Sequence, residues 1–172
     1  MGWAHEVSPT IPTSIEMMIF IGRHLTGGGA PGLQLAAPCL AATEEQALAD
    51  LAVIESCPVL DRAEVAVERQ ATDVRELTAA SALTSPEEHR YAVDNMWTSA
   101  SAAELLPGYR RIAETIPAAP THMMWMNWAP DAGPVRPDMA YSVEDDIYLA
   151  LYGVWKEAAD DAGFESWATE RM

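Results

Sequence analysis

Two apolar stretches in the last third of the chain, THMMWMNW at residues 121–128 and DIYLALYGVW at residues 146–155, are the clearest indication of the fold. Aromatic, methionine and branched aliphatic residues make up most of both stretches, and this composition is typical of strands. The segment between them contains Pro130, Gly133 and Pro137, which interrupt regular structure. The two stretches therefore predict two strands joined by a loop.

The preceding residues contain further strand patterns. Apolar runs bounded by proline, glycine or polar residues predict strands at residues 14–21, 33–37 and 91–97. Residues 63–68 place valines on one face and glutamates on the other, which predicts another strand with one polar face. The first two of these strands are expected to pair antiparallel across the glycine-rich loop between them.

Helix signals fall between and after these strands. Thr43 and Gln46 have the spacing of a capping box, and Asp73 can cap a short helix. Apolar residues at helical spacing predict a third helix, namely Leu105, Tyr109, Ile112 and Ile116. Pro107 is compatible with that helix only near its first turn. Residues 160–172 predict a terminal helix.

The order and spacing of these elements predict the fold class. Several connections are too short for the crossovers that a parallel sheet needs. We therefore predict an α+β fold, an antiparallel sheet of about six strands with helices packed on one face. A single domain spanning residues 1–172 is expected, because a chain of this length can bury a core of its own.

Composition excludes several classes of function. The formal net charge of −16 disfavours nucleic-acid binding, which requires clustered lysine and arginine. Cys39 and Cys57 are the two cysteines, and their spacing indicates neither a disulfide framework nor a zinc site. The apolar runs are too short to cross a membrane, and the N-terminus lacks the basic region of a signal peptide. We expect a cytoplasmic protein with free thiols and no membrane partner.

Two motifs that could bind ions do not have the required context. Gly27, Gly28 and Gly29 lack the spacing and the following helix of a phosphate-binding loop, so a hairpin loop is the better interpretation. The acidic residues 144–146 are consecutive and lack the ligand spacing of a calcium loop. We therefore predict no metal site and no cofactor-binding residues in this chain.

The candidate binding residues lie on the two stretches at residues 121–128 and 146–155. Alternation places Trp125 and Asn127 on one face of the first strand, and Tyr148 and Tyr152 on one face of the second. If the aliphatic residues face the helices, these four side chains share the open face. Aromatic walls and one oriented amide are usual in pockets for organic ligands. The alternative is that the four residues complete a core or cover a partner surface.

Several segments in order resemble the substrate domain of FAD-linked oxidases of the berberine-bridge and vanillyl-alcohol-oxidase type. They are YAVDNMW at residues 91–97, LLP at 105–107, PTH at 120–122, and PDMAYS at 137–142 leading to Tyr148 and Trp155. The resemblance implies an antiparallel sheet backed by helices, whose open face covers a flavin bound by a separate domain. In such enzymes a catalytic acidic or aromatic residue often lies on the open face. Trp125 and Asn127 occupy that neighbourhood, so the catalytic residue is unknown.

The resemblance also implies a function. The FAD-binding segments of such enzymes are not in this sequence, so we expect a substrate-binding fragment or split subunit of a FAD-dependent oxidoreductase. Its expected partners are a FAD-binding domain in trans, a second copy of itself in a homo-oligomer, and an aromatic or polycyclic alcohol or amine. The alternative is a free-standing, non-catalytic module for small-molecule binding or dimerisation. A cofactor-free enzyme of the ferredoxin-like type has no residue set to support it.

Overall fold

The computed structural model describes residues 1–25, 29–64, 69–82, 84–127 and 145–172. Its helices and strands are, in chain order, α1 (Gly2–Val7), β1 (Met18–Gly22), β2 (Gly32–Ala36), α2 (Glu44–Leu51), α3 (Val74–Ser81), β3 (Arg90–Thr98), α4 (Ala102–Thr115), β4 (His122–Asn127), β5 (Ile147–Trp155) and α5 (Asp161–Arg171). Short 3₁₀ turns occupy Ser8–Thr10, Arg23–Leu25, Ile54–Ser56, Leu60–Arg62 and Ala158–Asp160. The predicted α+β class is confirmed.

The strands form one antiparallel sheet. Within the described residues it has five strands, in the order β2-β1-β4-β5-β3. The predicted pairing of β1 with β2 is confirmed. The apolar stretches at residues 121–128 and 146–155 form β4 and β5, which lie side by side. The sequence predicts about six strands, but most of the additional one falls on residues 65–68, which lie outside the described residues.

Capping determines where the helices begin. The Thr43 side chain accepts a hydrogen bond from the Gln46 amide at 3.2 Å, so α2 begins as predicted. Ser101 and Glu104 form a capping box that the sequence interpretation missed. This box starts α4 early enough that Pro107 lies in its second turn and not in the first.

One face of the sheet packs against helices, and we call it the helix face. The cluster of buried side chains that defines it on the strands contains Ile19, Ile21, Met123, Trp125, Ile147, Leu149 and Leu151. The same cluster includes Ala4 of α1, Tyr109, Ile112 and Ile116 of α4, and Trp167 and Ala168 of α5. Helices therefore cover this face, as the sequence predicts, although α1 was not among the predicted helices. In contrast, α2 and α3 contain no buried residue.

Helix α5 is fixed to the sheet at one end. The Arg90 guanidinium donates two hydrogen bonds to the Asp161 carboxylate, at 2.5 and 2.7 Å, and the Trp155 indole donates another at 2.7 Å. Hydrogen bonding by Arg90, and to a smaller extent by Trp155, lowers the pKa of Asp161. Gly153 lets the helix approach closely, because an added Cβ would lie 3.0 Å from the Phe164 carbonyl oxygen.

Candidate ligand-binding face

The strand register decides which predicted residues share a face. Trp125 lies opposite Leu149, and Asn127 lies opposite Ile147, so both point to the helix face. Tyr148 and Tyr152 lie opposite Met126 and His122, on the other face. The prediction that Trp125, Asn127, Tyr148 and Tyr152 share one open face is therefore wrong. Alternation fixes the faces within each strand, but a one-residue change in register exchanges the faces between strands.

Trp125 belongs to the core. Its side chain is 0% exposed, and its indole N–H donates a hydrogen bond to Nε2 of His5 at 3.1 Å. An indole nitrogen can only donate, so His5 Nε2 is the acceptor and Nδ1 carries the ring proton. The Tyr109 hydroxyl lies 3.1 Å from the same Nε2 atom. This network holds α1 and α4 over β4.

Burial sets the protonation of this network. Desolvation lowers the pKa of His5, and the N-terminal ammonium group lowers it further. Burial raises the pKa of Tyr109. Both groups therefore stay neutral around Trp125, which suits an apolar core. This contact was not predicted from the sequence, because α1 lacks a clear apolar periodicity.

Asn127 uses its amide within the sheet. Its Oδ1 accepts a hydrogen bond from the Met17 amide at 3.0 Å, and its own backbone amide donates to the Met17 carbonyl at 3.2 Å. The side chain thus closes the end of the β1 and β4 pair. This contact assigns Asn127 a structural role in the described residues.

The opposite side of the sheet, the aromatic face, carries two groups of rings. We define it by Phe20, Trp97, His122, Tyr148 and Tyr152. His122 and Tyr152 stack with ring centroids 4.7 Å apart and planes at 12°, and Phe20 lies 5.9 Å from His122. Trp97 and Tyr148 form the second group at 4.8 Å. The rings therefore lie on the side of the sheet opposite to α1, α4 and α5.

A small residue separates the two ring groups. Ala150 lies between Tyr148 and Tyr152 on β5 and pairs with Met124 of β4. Ala150 is fully buried, whereas Met124, Tyr148 and Tyr152 are partly exposed. Ala150 and Met124 therefore separate the two ring groups on this face.

His122 lies on the aromatic face but was not among the candidate residues of the sequence analysis. It is 3% exposed, and its Nδ1 lies 3.0 Å from the Pro120 carbonyl oxygen. Next to it, the Thr121 hydroxyl donates to the Val154 carbonyl at 3.1 Å and accepts from the Val154 amide at 3.0 Å. These bonds fix the register that brings His122 beside Tyr152. Alternation had already placed His122 away from Trp125, but only the register reveals its aromatic neighbours.

Two classes of site are not found in the described part of the chain. No group of three or more histidine, cysteine, aspartate or glutamate side chains there could hold a metal ion. The described residues also contain no helix that is long and apolar enough to cross a membrane.

The fold is similar to part of a known oxidoreductase. The crystal structure of GilR, an oxidoreductase that catalyses the terminal step of gilvocarcin biosynthesis, in complex with pregilvocarcin, matches this chain with a TM-score of 0.67. The match covers 99% of this chain and 37% of GilR at 15% sequence identity. The chain thus spans about a third of the length of that enzyme. No protein-family model and no curated protein matches the sequence.

Proposed function

We propose that this chain is the substrate-binding part of a FAD-dependent oxidoreductase and that its aromatic face binds the substrate. The observation that carries the proposal is the difference between the two faces of one sheet. Helices cover one face, while on the other face Trp97, Tyr148 and Tyr152 are partly exposed and His122 is buried beside Tyr152. Ring surfaces of this kind suit an aromatic or polycyclic alcohol or amine.

The structural similarity to part of GilR supports the proposal that substrate binding and redox chemistry lie on different parts of the enzyme. A fold that corresponds to 37% of an oxidoreductase suits one part of such an enzyme, with the redox chemistry supplied elsewhere. Tyr148 and Tyr152 remain candidates for ligand contact. Trp125 and Asn127 act indirectly, because they hold α1 and β1 against β4 and so keep the sheet in shape.

Gly153 does not provide a site for the pyrophosphate of FAD. A pyrophosphate site needs glycines that let backbone amides approach the phosphate oxygens. The group that approaches Gly153 is the Phe164 carbonyl oxygen, which repels an anion. We therefore place the flavin on a separate domain, in trans or elsewhere in a longer chain.

Binding of a simple aromatic alcohol tests the proposal. Benzyl alcohol added to ¹⁵N-labelled protein is expected to shift amide signals of β4 and β5 near His122, Tyr148 and Tyr152. Tyr152→Ala should weaken binding, whereas Val74→Ala, which shortens a 74% exposed side chain on α3, should not. Shifts confined to the helix face, or no saturable shifts, would contradict the proposal.

Self-association is the second candidate function. Tyr91 and Val93 of β3, at the edge of the sheet, are 43% and 47% exposed. Exposed apolar residues on an edge strand favour pairing with a second copy, as a dimerisation module would use. Sedimentation should then show a dimer that Val93→Lys disrupts. A monomer at high concentration would leave only the first candidate.

A further inference from the structure

His5 connects the first helix to both α4 and β4. Its Nε2 atom lies 3.1 Å from the indole nitrogen of Trp125 on β4 and 3.1 Å from the hydroxyl oxygen of Tyr109 on α4. We infer that protonation of His5 releases α1 from the helix face as a unit, while the sheet stays folded. The inference is independent of the proposed ligand site, which lies on the opposite face of the sheet.

A protonated His5 cannot keep its bond to Trp125. In the imidazolium ion both ring nitrogens carry protons, so Nε2 no longer accepts a hydrogen bond. The Tyr109 hydroxyl can rotate and accept a hydrogen bond instead, but an indole N–H can only donate. Trp125 is fully buried, so its N–H would lose its acceptor at a place that water does not reach. The docked position of α1 therefore disfavours the protonated form of His5.

The groups that face His5 do not stabilise an imidazolium. On α4 the facing group is the Tyr109 hydroxyl, which stays neutral because burial raises its pKa. On β4 it is Trp125, which does not titrate. Desolvation lowers the pKa of His5 most, and the N-terminal ammonium group that precedes α1 lowers it further. The charged side chains of α1 and α4 are exposed to solvent, namely Glu6, Glu104, Arg110, Arg111 and Glu114.

Helix α1 can open without the sheet because it buries little of itself. It has six residues, of which Ala4 is buried. Met1, Trp3 and Val7 pack against the core but are partly exposed, and the Trp3 indole donates an exposed hydrogen bond to Ser56 at 3.3 Å. A helix of this length is not stable by itself in water. Segments with few buried contacts open locally before the whole fold does, and α1 is such a segment.

The direction and size of the effect follow from proton linkage. In the released helix His5 is exposed to water and regains its ordinary pKa of 6.5, whereas burial lowers the pKa in the docked helix. The released form therefore binds the proton more readily. Docking is strongest above pH 6.5 and weakens as the pH falls toward the lowered pKa. Over that range the population of released helix should rise by up to about tenfold for each pH unit, because release takes up one proton.

Deuterium exchange of the Trp125 indole proton tests the inference, because release of α1 exposes this proton to water. NMR follows its rate between about pH 7.5 and about pH 5. The indole proton of Trp155 is the matched control, since it bonds to Asp161 next to α5 and away from α1. In the wild type the ratio of the Trp125 rate to the Trp155 rate should rise by about threefold to tenfold for each pH unit below 6.5. In His5→Gln, which accepts without titrating, it should stay within about twofold.

Backbone amides of β5 distinguish release of α1 from unfolding of the whole molecule. They should keep their protection at every pH at which the Trp125 proton exchanges faster. A constant ratio of the two indole rates in the wild type would overturn the inference, whether or not the variant folds. Loss of β5 protection in parallel with Trp125 would overturn it too, because the sheet would then open together with α1. The same pH dependence in folded His5→Gln would exclude His5 as the titrating group.

Discussion

The two faces of the sheet are built from alternate residues of the same strands. They differ in composition, and helices pack on only one of them. On β5, Leu149 and Leu151 point to the helix face and are 5% and 1% exposed, while Tyr148 and Tyr152 point the other way and stay partly exposed. Helices remove one face from water, whereas the rings of Tyr148 and Tyr152 on the other face stay partly exposed. Stability and ligand binding should therefore depend on different faces.

Trp125→Ala should give the largest effect, because it removes a fully buried ring from the helix face. We expect a loss of about 3–5 kcal/mol in the free energy of unfolding, as for other buried tryptophans. Urea titration followed by circular dichroism measures it. Trp125→Phe, which keeps a ring but loses the bond to His5, should cost less. If Trp125→Ala lowered the free energy of unfolding by less than Tyr152→Ala does, the helix face would not be the face on which stability mainly depends.

Gly153→Ala should disturb the contact between the sheet and α5. The new Cβ would lie 3.0 Å from the Phe164 carbonyl oxygen, so the helix must shift, at a cost of about 1–3 kcal/mol. Gly163→Ala is the matched control on α5 itself, since its Cβ would meet nothing within 4 Å. That change should stabilise the helix by about 0.5–1 kcal/mol. Equal effects of the two substitutions would argue against close packing at Gly153.

Tyr152→Ala should affect binding more than stability. The ring is partly exposed and its stacking on His122 contributes about 0.5–1.5 kcal/mol beyond burial. We expect a loss of unfolding free energy of about 1 kcal/mol, well below the effect at Trp125. Thermal melting with and without benzyl alcohol measures both properties. A loss as large as that of Trp125→Ala would place Tyr152 in the core and weaken the distinction between the faces.

The smallest effect is a change in how stability depends on pH. Burial lowers the pKa of His5 from its ordinary value of 6.5, so the unfolded chain binds a proton more readily than the folded chain. The contribution of neutral His5 is therefore present above this value and is lost as the pH falls toward the lowered folded pKa. His5→Gln, which can still accept from Trp125, should make unfolding less sensitive between about pH 7.5 and about pH 5. Identical pH profiles for wild type and variant would show that His5 does not couple to folding.

Local signals in the sequence predicted most of the architecture. Thr43 and Asp73 accept hydrogen bonds from the amides of Gln46 and Glu76, as their capping positions indicate. The period-two and helical patterns located β3, β4, β5 and α5 to within a few residues. Helix α1 was missed, because its short sequence has no apolar period and its stability comes from contacts with distant residues.

Tyr148 and Tyr152 show what sequence determined in the candidate site, and His122 shows what it did not. Alternation alone established that the two tyrosines share a face and that Trp125 and His122 point in opposite directions, because successive side chains of a strand alternate. Which face of β4 coincides with which face of β5 depended on hydrogen bonds between strands, including those of Thr121 with Val154. Local sequence patterns were thus enough to predict the elements and the chemistry of each strand face. That Trp125 is in the core and that His122 lies beside Tyr152 could be learned only from the folded sheet, because register is a relation between strands distant in sequence.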